Sequence, residues 1–337
     1  MSNETPAPLA APTERGWGRV LLALALVLLL VGPIAPIGRP LVLLFPVLAA
    51  LMLAGWRRGG RWLPAAGWAA AVLYLVVQLA AADTGAARLE LGFALLLAVA
   101  FGILAGAWRD VPFFPRALGA TAVTIGGAAL IAASSGGIGR VSDAVEREYR
   151  ARAATMAQAA TAMIAQQGRG DQSEAAQARR QEMRVLSDAL QQFLPVIGVQ
   201  LLPALLALEV LAVLGLAWSL YHRLNRTRLG PPLGRLADFR FSDALVWGII
   251  AGLAILVVPG LAPVRGVAAN LLVLFGALYA IRGFGVLWYF VAPGPVATVL
   301  VVLAASVFWT IVVPTAACLG LSDTWIDWRR RAQAPTP

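Results

Sequence analysis

Residues 270–291 read NLLVLFGALYAIRGFGVLWYFV, a long apolar run that contains a single charged residue, Arg282. At a rise of 1.5 Å per residue, such a run is long enough as an α-helix to cross a hydrocarbon core of about 30 Å. Similar runs recur along the chain, and 60% of its 337 residues are apolar against 13% charged. A soluble domain would have about a quarter charged residues. The sequence therefore predicts an all-α, polytopic transmembrane helical bundle.

The apolar runs predict about eight membrane spans. The predicted spans are Gly16–Ile34, Pro40–Gly55, Trp62–Ala82, Leu91–Trp108, Arg116–Ser134, Phe193–Tyr221, Ala244–Leu261 and Val267–Val291. A last run, Val296–Leu321, is interrupted by Pro314 and Gly320, and Trp309-Thr310 is typical of a turn inside it. We expect this run to form a re-entrant hairpin of two half-length helices, which must be buried in protein. A ninth full span is the alternative.

The arginines orient the predicted spans. Every basic residue is arginine, and the formal net charge is +10. Alternate loops hold clusters of arginines, such as Arg57, Arg58 and Arg61, whereas the opposite short loops hold single ones, such as Arg39 and Arg265. The positive-inside rule therefore predicts a cytoplasmic N-terminus. The membrane itself is expected to be the bacterial cytoplasmic (inner) membrane. A re-entrant ending returns the C-terminal tail, with Arg329–Arg331, to the same side.

The polar stretch between the fifth and sixth spans predicts an extramembrane helical hairpin. Tyr149 and Ala153 belong to one apolar face at helical spacing, and a second such face follows the Gly168-Arg169-Gly170 turn. This hairpin is either a lid or partner-docking arm, or two helices that pack only on each other. The predicted organisation is a disordered tail (1–15), a five-span region (16–135), the hairpin (136–192), a C-terminal membrane region (193–321) and a basic tail (322–337).

The composition excludes several kinds of chemistry. The sequence contains no lysine, so neither a P-loop lysine nor a Schiff-base lysine is possible. The single cysteine, Cys318, cannot form an intrachain disulfide, and the single histidine, His222, excludes a multi-histidine metal site. The sequence also lacks HExxH, GxSxG, CxxC and glycine-rich phosphate loops. We therefore expect no enzyme activity, no cofactor and no metal. The arginines in short loops indicate lipid contact and not nucleic-acid binding.

Two ionisable residues lie deep inside predicted spans. Glu209 is in LLALEVLAVLG (205–215) and Arg282 is in LYAIRGFGVLW (278–288). Both are expected roughly 3–5 Å to the cytoplasmic side of the midplane. Because buried ionisable groups are costly and rarely face lipid, we expect the two residues to pair. The pair either lines a cavity for an anionic or zwitterionic solute, with Asn270 as a further ligand, or locks two helices together.

Several stretches carry a resemblance to a known family. They are GPIAPIGRPLVLLFPVLAAL (32–51), GWRRGGRW (55–62), GILAGAWRD (102–110), PPLGRLADFRFSDALVWG (231–248), NLLVLFGALYAIRGFGVLWYF (270–290) and LGLSDTWIDWRRR (319–331). In these stretches the chain resembles the YybS-like family of predicted bacterial membrane proteins, a domain of unknown function. That family is distantly similar to the substrate-binding components of energy-coupling-factor transporters and, in hydropathy, to the rod-shape protein MreD. The family pattern has Gln-Gly where this chain has Arg282-Gly283.

The resemblance implies two kinds of function. The transporter kinship implies a helical core that holds a small solute, and hence a binding or transport subunit without its own ATPase, which is the leading hypothesis. The kinship with MreD implies a non-transporting scaffold for cell-envelope growth or sporulation. A membrane enzyme that acts on a lipid is a third possibility. The expected partners are the lipid bilayer and other membrane protein subunits, with no nucleic acid.

Overall fold

The computed structural model describes residues 17–18, 35–81, 85–108, 111–167, 173–292 and 294–333. Over these residues the chain is helical and has no strand, which confirms the all-α class. The predicted tail 1–15 lies outside the described residues, and so does the first predicted span, Gly16–Ile34, apart from Trp17 and Gly18.

Twelve α-helices follow one another in the described part of the chain. They are α1 Pro40–Trp56, α2 Trp62–Ala81, α3 Gly85–Ala107, α4 Phe113–Ser134, α5 Ile138–Gln167, α6 Glu174–Gln200, α7 Leu202–Leu224, α8 Val246–Val257, α9 Arg265–Val291, α10 Pro295–Val307, α11 Trp309–Ile326 and α12 Trp328–Gln333.

Several of these helices can cross a membrane. By length and composition, four described segments qualify, namely Ala87–Ala107, Phe113–Ser134, Leu202–Leu224 and Pro259–Val291, and the number rises to five if α10 and α11 form one bent span. The apolar helices Pro40–Trp56, Trp62–Gln78 and Asp243–Val257 are shorter. The chain is thus a multi-helix membrane protein, whereas the count of eight spans stays a prediction.

The last apolar run is broken where the sequence indicates a turn. α10 ends at Val307, α11 begins at Trp309, and the helices on either side are bent by 107°. A bend of this size fits both a re-entrant hairpin and a broken span, so the return of the tail to the cytoplasm stays a prediction. The helix does not end at the predicted Leu321, because α11 continues to Ile326.

The described residues divide into two compact units. One contains residues 39–120 and 212–233, and the other contains 35–38, 121–211 and 234–333. The division falls inside α4 and α7. In the first unit, α1 packs against α2 and α3, and it buries most of its apolar side chains from Val42 to Met52, including Leu43, Val47 and Leu51. Gly102 of α3 allows close approach, since a Cβ there would lie 3.0 Å from the Cβ of Ala50 in α1.

In the second unit, α5 and α6 pair as the predicted helical hairpin. Tyr149 and Ala153, both from the predicted apolar face of α5, are buried. α6 does not end at residue 192. It continues through Phe193 to Gln200, and the helix is interrupted at Leu201 before α7 begins at Leu202. The placement of the hairpin outside the membrane, and its boundary at residue 192, stay predictions.

In the second unit, the backbones of α9 and α11 are in direct contact where the two helices cross. A Cβ atom at Gly283 of α9 would overlap the carbonyl oxygen of Ala316, and a Cβ at Gly320 of α11 would overlap the carbonyl oxygen of Tyr279. Small residues allow such backbone contact between membrane helices, and packing across it stabilises the pair. The segment 236–238 also approaches α9, since a Cβ at Gly285 would lie 2.5 Å from the carbonyl oxygen of Leu236.

We predict that Gly283→Ala destabilises the protein by at least about 1–3 kcal/mol, because the added methyl group must push two backbones apart. The measurement is thermal unfolding in detergent. Gly276→Ala is the matched control on the same helix, because nothing lies within 4 Å of a Cβ at Gly276. It should be neutral or slightly stabilising, since alanine favours a helix interior over glycine by about 0.5–1 kcal/mol. Equal melting temperatures for the two variants would show that the crossing does not constrain the fold.

Candidate functional site

Arg282 is buried and fully engaged by protein groups. Its Nε donates to Asp323 Oδ2 at 3.0 Å, and its Nη2 donates to the carbonyl oxygen of Asp323 at 3.2 Å. Its Nη1 donates to Oδ1 of Asp243 at 2.8 Å, and Asp243 lies three residues before α8 begins. The guanidinium also lies over the ring of Phe241, 5.5 Å from its centroid. Every guanidinium nitrogen therefore has an acceptor.

Asp323 joins two arginines. The side chain is fully buried, and its Oδ2 accepts from Arg282 and, at 2.8 Å, from Nη2 of Arg329. Arg329 Nη1 donates to the carbonyl oxygens of Ala237 at 2.7 Å and Phe239 at 3.2 Å. Arg329 thereby ties the segment 236–241 to the end of α11. We refer to Arg282, Asp323, Arg329 and Asp243 as the Arg282 network.

The Arg282 network has no net charge, because two arginines face two aspartates. Pairing removes much of the cost of burying each charge. The closure is incomplete at two atoms, since Asp323 Oδ1 and Arg329 Nε are buried without a hydrogen-bond partner among the residues that the structure describes. Groups of this kind commonly hold buried water.

The predicted pair of Glu209 and Arg282 is wrong. The nitrogens of Arg282 bind Asp323 and Asp243, and the carboxylate of Glu209 lies in another environment. Two residues at equal depth in a membrane can lie on helix faces that do not meet. The carboxylates of Asp323 and Asp243 bind the Arg282 guanidinium instead. The sequence did contain a signal for Asp323. Asp323 is an acidic residue directly after the last apolar run. Because the predicted run ends at Leu321, Asp323 is assigned to the C-terminal tail and not to a helix.

Glu209 fixes the segment 35–38. Its Oε2 accepts from the backbone N–H of Ile37 at 3.0 Å. Arg152 of α5 donates to the carbonyl oxygens of Ala35 and Pro36, and its guanidinium lies 5.4 Å from the centroid of the Tyr149 ring. Burial raises the pKa of Tyr149 to about 12. The positive charge of Arg152 lowers this pKa in part, and the negative charge of Glu209 raises it further.

Asn270 holds the break between α6 and α7. Its Oδ1 accepts from the backbone N–H of Ala204 at 2.9 Å. Its Nδ2 donates to the carbonyl oxygens of Gln200 and Gly266, both at 2.8 Å. Both amide hydrogens are thus used within the protein. The structure does not bring Glu209, Arg282 and Asn270 together into one site, although binding of a solute by any of them stays untested.

No group of three or more His, Cys, Asp or Glu side chains in the described ranges is arranged to hold a metal ion. Four described helices that are long and apolar enough to cross a membrane define the chain as an integral membrane protein. A family model described as Predicted membrane protein (DUF2232) matches residues 21–324, and the chain belongs to that family. This confirms the resemblance to YybS-like proteins. Searches of curated proteins and of solved structures found no match.

The family assignment does not extend to the more distant kinships. Similarity to energy-coupling-factor components and to MreD stays a prediction. Three of the stretches that carry the family resemblance do meet in space, because the Arg282 network is built from 231–248, 270–290 and 319–331.

The network can be tested by two double-mutant cycles. We predict that Arg282→Gln and Asp323→Asn are strongly coupled, because breaking a buried pair by removing one partner costs about 3–5 kcal/mol in soluble proteins. Glu209→Gln with Arg282→Gln should instead be additive within about 0.5 kcal/mol. The measurement is thermal stability in detergent. Coupling between Glu209 and Arg282, with none between Arg282 and Asp323, would contradict the geometry.

A second ion pair lies next to the network and nearer the surface. Arg240 donates to both carboxylate oxygens of Asp327, at 2.5 and 3.2 Å. Asp327 is the first residue after α11. These hydrogen bonds hold the pKa of Asp327 below its usual range. Asp327 has φ 46°, a left-handed conformation that asparagine also tolerates.

We predict that Asp327→Asn removes an acid-sensitive part of the stability. Because the folded pKa of Asp327 is depressed, its contribution is present above its unfolded pKa of about 3.9 and is lost as pH falls through the folded value. The pair is partly exposed, so the contribution should stay below about 1 kcal/mol. The difference in melting temperature between the wild type and the variant, measured from pH 3 to 6, should become smaller towards the acidic end. A constant difference across that range would show that the pair does not act through Asp327 titration.

Proposed function

We propose that this chain is a non-catalytic subunit of the bacterial cytoplasmic membrane that serves as a scaffold for cell-envelope growth or sporulation. Its expected partners are the bilayer and other membrane proteins. The observation that carries the proposal is the pairing of Arg282 with Asp323 and Asp243 inside a network that has no net charge.

Two further observations support a scaffold over a solute-binding subunit. A solute site needs a few polar groups that converge on a cavity. Glu209, Arg282 and Asn270 instead bind three different segments of the chain, at 35–38, 236–243 with α11, and 200–204. Each of these contacts fixes a loop or a helix end, which is what a rigid structural subunit requires.

One observation favours the second candidate, a small-solute binding or transport subunit without its own ATPase. The side chain of Asp243 is 62% exposed although its partner Arg282 is only 4% exposed. An anionic solute could therefore replace the Asp243 carboxylate on Nη1 of Arg282. Arg329 Nε, a buried donor with no partner among the described residues, is a further polar group in the network.

Native mass spectrometry of the protein, purified in mild detergent from the bacterium that encodes it, separates the two functions. A scaffold should retain a second membrane protein in a fixed ratio and should carry no stoichiometric small molecule. Phospholipid adducts are recognised by their masses and count for neither function.

A comparison of variants sharpens the result. If the protein binds a solute at the network, Arg282→Gln should abolish a small-molecule adduct that the matched exposed-surface variant Arg265→Gln retains. Such an adduct, without a protein partner in the wild type, would overturn the scaffold proposal. For a scaffold, both variants should have the same small-molecule spectrum as the wild type.

A further inference from the structure

Two arginine-bearing loops of the first unit meet at the ends of α1 and α7. The side chain of Asn225 reaches α1, with its Nδ2 3.9 Å from the Sδ of Met52. A Cβ at Gly60 would lie 3.0 Å from Oγ1 of Thr227, and one at Gly55 would lie 2.8 Å from Nδ2 of Asn225. The segments 55–61 and 225–227 are therefore in direct contact, although about 165 residues separate them in the sequence.

The second loop is held by its backbone carbonyl groups. Side chains of α4 and α7 bind four carbonyl oxygens between residues 227 and 231. Tyr221 Oη donates to Thr227 at 2.6 Å, Arg116 Nη1 to Leu229 at 3.0 Å and Trp218 Nε1 to Pro231 at 3.0 Å, and His222 Nε2 lies 3.0 Å from Gly230. These bonds fix the backbone on its inner side, while Arg226 and Arg228 are exposed. The loop is thus a fixed support for two outward arginines.

The joined loops are strongly basic. Together they carry Arg57, Arg58, Arg61, Arg226 and Arg228, which we call the two-loop arginine surface, and residues 55–62 and 225–231 include no acidic residue. Arg57, Arg61 and Arg226 are exposed, and none of them has an ion-pair partner among the residues that the structure describes. Such a concentration of positive charge attracts an anionic ligand. Guanidinium groups match phosphate oxygens well, because their planar forks bind two oxygens at once.

The position of the surface indicates the source of the phosphate. It lies where the apolar helix α1 ends and α2 begins, and exposed tryptophans flank it there, Trp56 at 49% and Trp62 at 63% exposure. Exposed tryptophans at the ends of apolar helices are typical of the headgroup level of a membrane. We propose that the two-loop arginine surface binds the phosphate groups of anionic phospholipids. This proposal does not depend on whether the chain is a scaffold or a solute-binding subunit.

The test uses the full chain in detergent and a lipid titration read by native mass spectrometry. The probes are phosphatidylglycerol, phosphatidylcholine with the same acyl chains, and inorganic phosphate. The wild type should prefer phosphatidylglycerol. The triple variant Arg57→Gln, Arg61→Gln, Arg226→Gln should bind it on the order of a hundredfold more weakly, since each arginine near an anionic headgroup contributes about a fivefold factor.

The matched control is Arg39→Gln, Arg184→Gln, Arg265→Gln, which removes the same charge from three other exposed positions. This variant should keep the wild-type affinity, and both variants should melt within a few degrees of the wild type. Equal losses of affinity in the two triple variants would overturn the proposal, because the effect would then be one of net charge alone. Equal binding of the two lipids, or displacement of phosphatidylglycerol by millimolar inorganic phosphate, would overturn the assignment to a lipid headgroup.

Discussion

The backbone contact between α9 and α11 at Gly283 and Gly320 is the constraint on which the second unit depends. Side chains at these two positions would hold the helices apart, and the ion pair between Arg282 and Asp323 could not form. The order of causes is therefore steric first and electrostatic second. Once the helices touch, Asp323 receives both Arg282 and Arg329, and Arg329 in turn fixes the carbonyl groups of 237–239.

Burying a charged side chain in a membrane protein costs free energy, which interactions with other groups must offset. An isolated arginine at the centre of a helix costs at least about 2.5–3.5 kcal/mol. The structure meets this cost by assembling two arginines and two aspartates from three distant stretches of sequence. Such a network does not tolerate partial loss, because removal of one member leaves its partner buried and unpaired. It therefore specifies one arrangement of α9, α11 and the 236–243 segment.

The sequence predicted what depends on local pattern. The bounds of α1, α2 and α4 lie within three residues of the predicted spans, and the break at Phe308 lies beside the predicted turn. What it missed depends on tertiary contact. The break at Leu201 is held by Asn270, and no local pattern reveals a partner 66 residues away, although Pro203 marks the start of α7. The partners of Arg282 were missed because hydropathy ended the last run before Asp323.

The central claim is that the Arg282 network holds α9, α11 and the 236–243 segment in one arrangement. The most direct test compares the melting temperature of Asp323→Asn with that of the apolar triple variant Arg282→Met, Asp323→Leu, Arg329→Met. Removing a whole buried ionic triad is often neutral or stabilising, whereas removing one member leaves the others uncompensated. The account predicts that the triple variant melts at the higher temperature. A triple variant that is less stable than Asp323→Asn would contradict it.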